Sequence, residues 1–298
     1  MSLLQLPSPI QEIIHHPGKN QGIRLYIKRD DLIHPHISGN KWRKLKFNIQ
    51  HAQNLGANTL ISAGGPWSNH LAALAAAGKV FNLKTVGIVR GEAPPTRNST
   101  LQFCQLQGME LHFITRTDFD GLPHSISHIL KTYPFSFYIP LGGDNELGIH
   151  GCEEIAAEIH ARFDVVCLPV GTGTTLRGVA QSMPHQRVMG FSALKNQAQH
   201  SAELVTWLAH NPMVDLSHAY SGKGFAKSTP ELEDFIYKFY QQNKIMLEPV
   251  YTGKMMYGVF NLIEHGFYNP GASILCLHTG GLQGLAGFPD LHKRLFTS

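Results

Sequence analysis

The segment Ser38-Gly39-Asn40-Lys41-Trp42-Arg43-Lys44-Leu45 places a lysine directly behind a Gly-Asn turn, where its amine can form an imine with an aldehyde. Trp42, Leu45, Ile49, Ala52 and Leu55 recur three or four apart and stop at Gly56, so Lys41 falls in the first turn of an amphipathic helix. The positive pole of that helix, together with burial, disfavours a protonated amine and leaves the nucleophilic form. The competing reading makes Lys41, Arg43, Lys44 and Lys46 a solvated basic face.

Three further constellations carry chemistry. Asp164 to Val170 reads as a buried strand running into Gly171-Thr172-Gly173-Thr174-Thr175 and then a helix, a cradle of backbone N–H groups and hydroxyls for an anion. It lacks the lysine of a P-loop and the spacing of a dinucleotide fingerprint, which points to phosphate without nucleotide. In Gly64-Gly65-Pro66-Trp67-Ser68-Asn69-His70, Ser68 or Asn69 either caps the following helix or holds a carboxylate at its start. In Glu248-Pro249-Val250-Tyr251-Thr252, the tyrosine at a strand tip is a packing residue, a ring against a cofactor or a general acid/base.

The elements that must position these residues are legible as a rhythm. Runs at 59–63, 85–89, 111–115, 137–141, 164–170, 188–192, 245–250 and 273–278 are β-rich and mostly apolar on both faces, with helical patterns between several of them. That alternation predicts an α/β fold of parallel sheets covered by helices. Several runs end in glycine, at Gly64-Gly65, Gly142-Gly143, Gly171 and Gly280-Gly281, where ligands approach the carboxyl ends of parallel strands. The apolar run Leu71 to Ala77 is too short for a bilayer and reads as a buried helix.

Composition narrows the function classes. With 298 residues, 43% hydrophobic and 15% charged, the chain is an ordinary globular sequence of enzyme size. A formal charge of +4, without basic clusters interleaved with aromatics, gives no support for nucleic-acid binding. Cys104, Cys152, Cys167 and Cys276 lie far apart, and Met1-Ser2-Leu3-Leu4 has no export pattern, so reduced thiols in the cytoplasm are expected. The 18 histidines include His15-His16 and His34-Pro35-His36, neither with helical metal-ligand spacing, and no metal is expected.

An imine-forming lysine, a phosphate cradle and a carboxylate-binding helix start together describe pyridoxal-phosphate chemistry. From Lys28-Arg29-Asp30-Asp31-Leu32 to Thr279-Gly280-Gly281 the chain resembles the fold-type II pyridoxal-phosphate enzymes of the ACC (1-aminocyclopropane-1-carboxylate) deaminase/D-cysteine desulfhydrase group, similar to the tryptophan synthase β superfamily. The resemblance implies two α/β lobes: a larger one of residues 1–44 and 156–298, and a smaller one of 45–155 inserted after the lysine segment, with pyridoxal 5'-phosphate between them. It implies Lys41 as Schiff-base lysine, Gly171 through Thr175 as phosphate loop, Asn69 at the cofactor's phenolic oxygen, Tyr251 against the cofactor, and Thr252 and Thr279 as further contacts. Ser68 falls where the family meets the substrate carboxylate or the α-carbon, with Asn69, Trp67, His70 and Phe225 beside the substrate. A small amino-acid substrate and a homodimer are implied as well.

Thr252 stands where ACC deaminases carry glutamate, and Thr279 where they carry leucine, so elimination of a β-leaving group in the D-cysteine desulfhydrase manner is expected ahead of cyclopropane opening. Two departures set this chain apart: Trp67 replaces the family's glutamine, and Phe225 stands where a second active-site tyrosine is expected. The loss of that phenol also motivates the alternative of a pyridoxal-phosphate-binding protein with little catalysis.

Overall fold

The computed structural model describes residues 4–296. Its strands are Ile10–Glu12 (β1), Arg24–Lys28 (β2), Thr59–Gly64 (β3), Lys84–Arg90 (β4), Met109–Ile114 (β5), Ser136–Ile139 (β6), Val165–Val170 (β7), Arg187–Ser192 (β8), Val214–Ser217 (β9) and Ser273–Leu277 (β10). They form a six-stranded sheet in the order β1-β2-β10-β7-β8-β9 and a four-stranded sheet in the order β5-β4-β3-β6. Only the β1–β2 pair is antiparallel among the described strands. Every residue of β3, β7 and β10 is buried, as expected of strands covered by helices on both faces.

Five helices frame the site: Asn40–Asn54 (α1), Asn69–Phe81 (α2), Glu146–Ala157 (α3), Thr174–Ser182 (α4) and Thr252–Glu264 (α5). Leu45, Ile49 and Ala52 of α1 pack with Leu71 to Ala77 of α2 in one apolar core beside the four-stranded sheet. Continuous α1 crosses residues 44 and 45, and α3 crosses 155 and 156, so each of these two helices reaches across the expected lobe boundaries.

One expected strand is not formed. Residues 245–250 run as buried irregular chain, and Tyr251 opens α5 instead of ending a strand. Pro249 has no N–H to give a ladder, and the Glu248 carboxylate takes up the N–H groups of Val250, Tyr251 and Thr252 at 2.7, 2.9 and 2.7 Å. Conversely β1, β2 and β9 are strands beyond the eight expected runs. No helix of the described residues is long and apolar enough to cross a membrane.

Candidate active site

Lys41 occupies the second position of α1, and the turn before it is fixed by close backbone packing. Gly39 has φ +64°, and a Cβ there would fall onto the carbonyl oxygen of Thr279. Only glycine satisfies both conditions. Asn40 N donates to that same Thr279 oxygen at 3.3 Å, and Asn40 Nδ2 donates to Thr175 Oγ1 at 3.0 Å. The start of α1 is thereby tied to the end of β10 and to α4. Lys41 is partly accessible, and among the described residues its Nζ makes no hydrogen bond or ion pair. Burial, reinforced by the Lys44 charge, lowers its ammonium well below the ordinary lysine range.

The basic run is not a solvated face. Arg43 is fully buried and Lys44 nearly so. Arg43 donates to Asp30 Oδ2 at 3.2 Å and to Glu158 Oε1 at 2.6 Å, and Lys28 donates to Glu158 Oε2 at 2.6 Å and to Ser8 Oγ at 2.6 Å. These partners hold Glu158 down at about 2 against its burial. Lys44 turns the other way, toward the glycine loop, where its Nζ lies 3.2 Å from the Gly142 carbonyl and 3.5 Å from Thr172 Oγ1. The sequence motifs assign Lys44 no such role, although its spacing of three from Lys41 puts both on one helix face.

The glycine loop after β7 forms as expected. Gly173, at φ +96°, caps α4, and Thr174 and Thr175 are buried in its first turn. Thr172 and Thr174 share a hydroxyl contact of 2.8 Å, Thr174 donates to Asp144 Oδ1 at 2.6 Å, and Arg177 pairs with Asp144 at 3.2 Å. A Cβ on Gly171 would lie 3.2 Å from Tyr251 Cε1, so the tyrosine ring rests against the start of this loop. Burial raises the Tyr251 phenol far above its usual range.

Across from this loop, Ser68 is the N-cap of α2, its Oγ accepting from Leu71 N at 3.2 Å. Asn69 packs on Gly281, where a Cβ would strike its Nδ2, and its Oδ1 accepts from Gln283, a partner that no motif in the sequence signals. Gly142 and Gly143 close the same region, packing on Thr172 and on Lys44 and His70 respectively. Lys41, Lys44, Ser68, Asn69, Gly171–Thr175, Tyr251 and Thr279 are thus drawn from several elements into one neighbourhood.

Four more of the expected residues have their own surroundings. The His70 imidazole is buried, with Nε2 3.0 Å from Ser62 Oγ on β3, and its Nδ1 has no hydrogen-bond partner among the described residues. Burial and the Lys41 and Lys44 charges hold it neutral, well below the usual histidine range. Thr252 is fully buried, and its hydroxyl both donates to Glu248 Oε1 and accepts from Glu248 N at 3.1 Å. Trp67 and Phe225 are exposed, the former against Gly287 and the latter edge-on to Tyr251 at 6.0 Å between centroids.

A free, depressed amine beside a hydroxyl-lined glycine loop with a second, buried lysine is suited to an aldehyde bearing a phosphate. Residues 1–280 match the model of the family described as pyridoxal-phosphate dependent enzyme. The chain belongs to that family. This pyridoxal-phosphate dependent enzyme is 31% identical to the bifunctional D-cysteine desulfhydrase/1-aminocyclopropane-1-carboxylate deaminase, mitochondrial, of Arabidopsis thaliana, over 95% of this chain and 78% of that protein. It is 30% identical to a putative 1-aminocyclopropane-1-carboxylate deaminase of Pyrococcus horikoshii, over 97% of this chain and 94% of that protein. In fold it matches the crystal structure of an ACC deaminase homologue with a TM-score of 0.83 at 26% identity, over 98% of this chain and 95% of that chain. The two-sheet α/β architecture is therefore that of fold-type II pyridoxal-phosphate enzymes.

The residues present fit the cofactor. A Cβ on Gly171 would crowd Tyr251 at 3.2 Å, the loop hydroxyls are preorganised by one another and by Asp144 and Asn40, and Lys44 Nζ stands 3.5 Å from Thr172 Oγ1 as a donor for an anion there.

Proposed function

We propose that the protein is a lyase/deaminase that converts a small amino acid to ammonia and a 2-oxo acid, with elimination of thiol from D-cysteine ahead of opening of 1-aminocyclopropane-1-carboxylate. The observation that carries the reading is Lys41: an unpaired amine whose burial disfavours protonation, held at a helix start between the glycine loop and the Ser68 cap. The names of the Arabidopsis and Pyrococcus relatives support both reactions.

Pyridoxal 5'-phosphate, when bound, supplies an aldehyde that condenses with amines and an electron-poor ring that takes up charge from the α-carbon. The chain's residues do the remainder. Gly171 through Thr175 and Lys44 would hold the phosphate, with Tyr251 and Asn69 fixing the ring and Thr279 bordering it. Lys41 Nζ would serve as the base for the α-proton, and burial favours the neutral amine that this role needs. Ser68 and the free N–H groups at the start of α2 would orient the substrate carboxylate. Glu248, the carboxylate adjoining Thr252, is saturated by three backbone N–H groups and one hydroxyl, which leaves no free anion there to sustain a strongly electron-withdrawing ring. That supports elimination of a good leaving group over ring opening.

The same proposal takes residues 1–44 and 156–298 as the larger lobe and 45–155 as the smaller, in a homodimer acting in the cytoplasm. The four buried, unpaired cysteines are consistent with a reducing compartment. Purified protein incubated with D-cysteine, L-cysteine, D-serine and ACC is expected to release ammonia and 2-oxo acid, with sulfide from D-cysteine. Lys41→Ala is expected to lose both turnover and the visible absorbance of the bound cofactor; normal turnover in that variant would falsify the assignment.

A further inference from the structure

Few of the large apolar side chains exposed on this protein lie near the site, but those that do adjoin residues of the proposed machinery. Trp67, 41% exposed, immediately precedes Ser68; Phe225, 50% exposed, stands edge-on to Tyr251; Leu141, 42% exposed, immediately precedes Gly142. Phe225 is not on a slack loop. The buried Lys254 donates to the Gly224 carbonyl at 2.8 Å, and Ala226 is held at φ +54°, a conformation that an alanine adopts only under constraint from its surroundings. The Trp67 ring lies over Gly287, 3.5 Å from where a Cβ on that glycine would stand. Two aromatic rings left open to solvent, one on the Ser68 side and one on the Tyr251 side, are surface that a ligand's apolar group can cover.

We infer that the substrate side of this site takes an amino acid whose β-leaving atom carries an apolar group, an S-alkyl or S-aryl cysteine, in preference to free cysteine. The inference rests on the lyase reading above and deepens it. In the reaction the Cα–H and Cβ–S bonds break, sulfur departs with the bonding pair and takes a proton as the free thiol, and the remaining 2-aminoacrylate is hydrolysed by one water to pyruvate and ammonium. There is no net oxidation or reduction. An S-benzyl group could extend from the sulfur toward Trp67 or toward Phe225, whereas hydrogen sulfide as leaving group would use neither.

The test uses holoenzyme and measures kcat/KM for pyruvate release from S-benzyl-D-cysteine, S-benzyl-L-cysteine, D-cysteine and L-cysteine, with thiol assayed in parallel. The expected result is a preference on the order of tenfold or more for the S-benzyl compound over cysteine of the same handedness. Phe225→Ala and Trp67→Ala should each lower that ratio several-fold, while Phe267→Ala, an exposed aromatic packed on Tyr268, should leave it unchanged. Cysteine turned over as well as or better than its S-benzyl derivative would overturn the inference and leave the lyase reading standing. Cofactor-loaded protein that turns over none of the four overturns both. If an alanine variant fails to bind cofactor, the wild-type ratio and Phe225→Leu decide the matter: a ratio near one in wild type, or a ratio in Phe225→Leu no lower than in wild type, counts against it.

Discussion

At the scale of single residues, two lysines one helical turn apart are both pushed toward the neutral amine by burial and differ in their partners. Lys41 has no partner among the described residues, whereas Lys44 is buried against a carbonyl and the Thr172 hydroxyl. Burying Lys44's charge costs the empty protein stability, and an anion at the glycine loop would recover that cost as a charge-assisted contact. Lys44→Met should therefore act in two directions. Its affinity for pyridoxal 5'-phosphate, titrated by absorbance or fluorescence, should fall by roughly tenfold or more, corresponding to about 1.5–3 kcal/mol for a hydrogen bond to a charged group. The cofactor-free variant should melt no lower than wild type. Unchanged affinity would detach Lys44 from the phosphate. The sequence displayed the spacing that puts both lysines on one face, yet it could not show that this face is turned inward; that depends on Gly142 and Thr172, 98 and 128 residues away along the chain.

At the scale of elements, α1 is fixed at its start by the Gly39–Thr279 contact and through its first turn by the buried cluster of Lys28, Asp30, Arg43 and Glu158. The cluster joins β2, α1 and the end of α3, so it sets where Lys41 stands relative to both sheets. Glu158→Gln leaves Arg43 and Lys28 without one anionic partner in a dry environment, and should destabilise the fold by about 3 kcal/mol, read as a lowered urea midpoint at constant slope. A loss under about 0.5 kcal/mol would show that water or Asp30 alone serves both cations. The same cluster explains why β2 escaped a reading by apolar pattern: Arg24-Leu25-Tyr26-Ile27-Lys28 begins and ends in charge, and its interior position in the sheet is tolerable only because Lys28 meets Ser8 and Glu158. Apolar strands such as β3, β4, β7 and β10 were legible because their burial on both faces is written in their composition. Residues 245–250 have equally apolar content, but there a local carboxylate outcompetes a sheet for the backbone N–H groups, and composition does not report that competition.

At the scale of the whole molecule, the ends of strands from both sheets meet with two neutral histidines nearby. His70 on α2 packs against β3 of the four-stranded sheet; His278 follows β10 of the six-stranded sheet, donating to the Met246 carbonyl at 2.6 Å and accepting from Gly280 N at 3.2 Å. Burial lowers both imidazoles below the ordinary value of 6.5. Below pH 6.5 the unfolded chain therefore binds protons that the native state refuses, and stability must fall as the medium is acidified. Each histidine contributes a slope of up to about 1.4 kcal/mol per pH unit. Glu158 has the same sign in a later window: its contribution is complete above 4.5 and is lost as pH falls toward about 2. Urea unfolding followed between about pH 7.5 and 5 should show a stability that declines through the histidine window, above the range in which Glu158 titrates, and His70→Gln should reduce that slope by up to the equivalent of one proton. A flat profile over this range would mean that both rings take up protons in the native protein as readily as in the unfolded chain. Because His70 touches Gly143 beside Lys44, and His278 holds the turn at Gly280 against which Gly39 packs, the same acid step loosens both sides of the lysine helix at once. Cofactor affinity should accordingly fall together with stability, and not at the lower pH where Glu158 titrates.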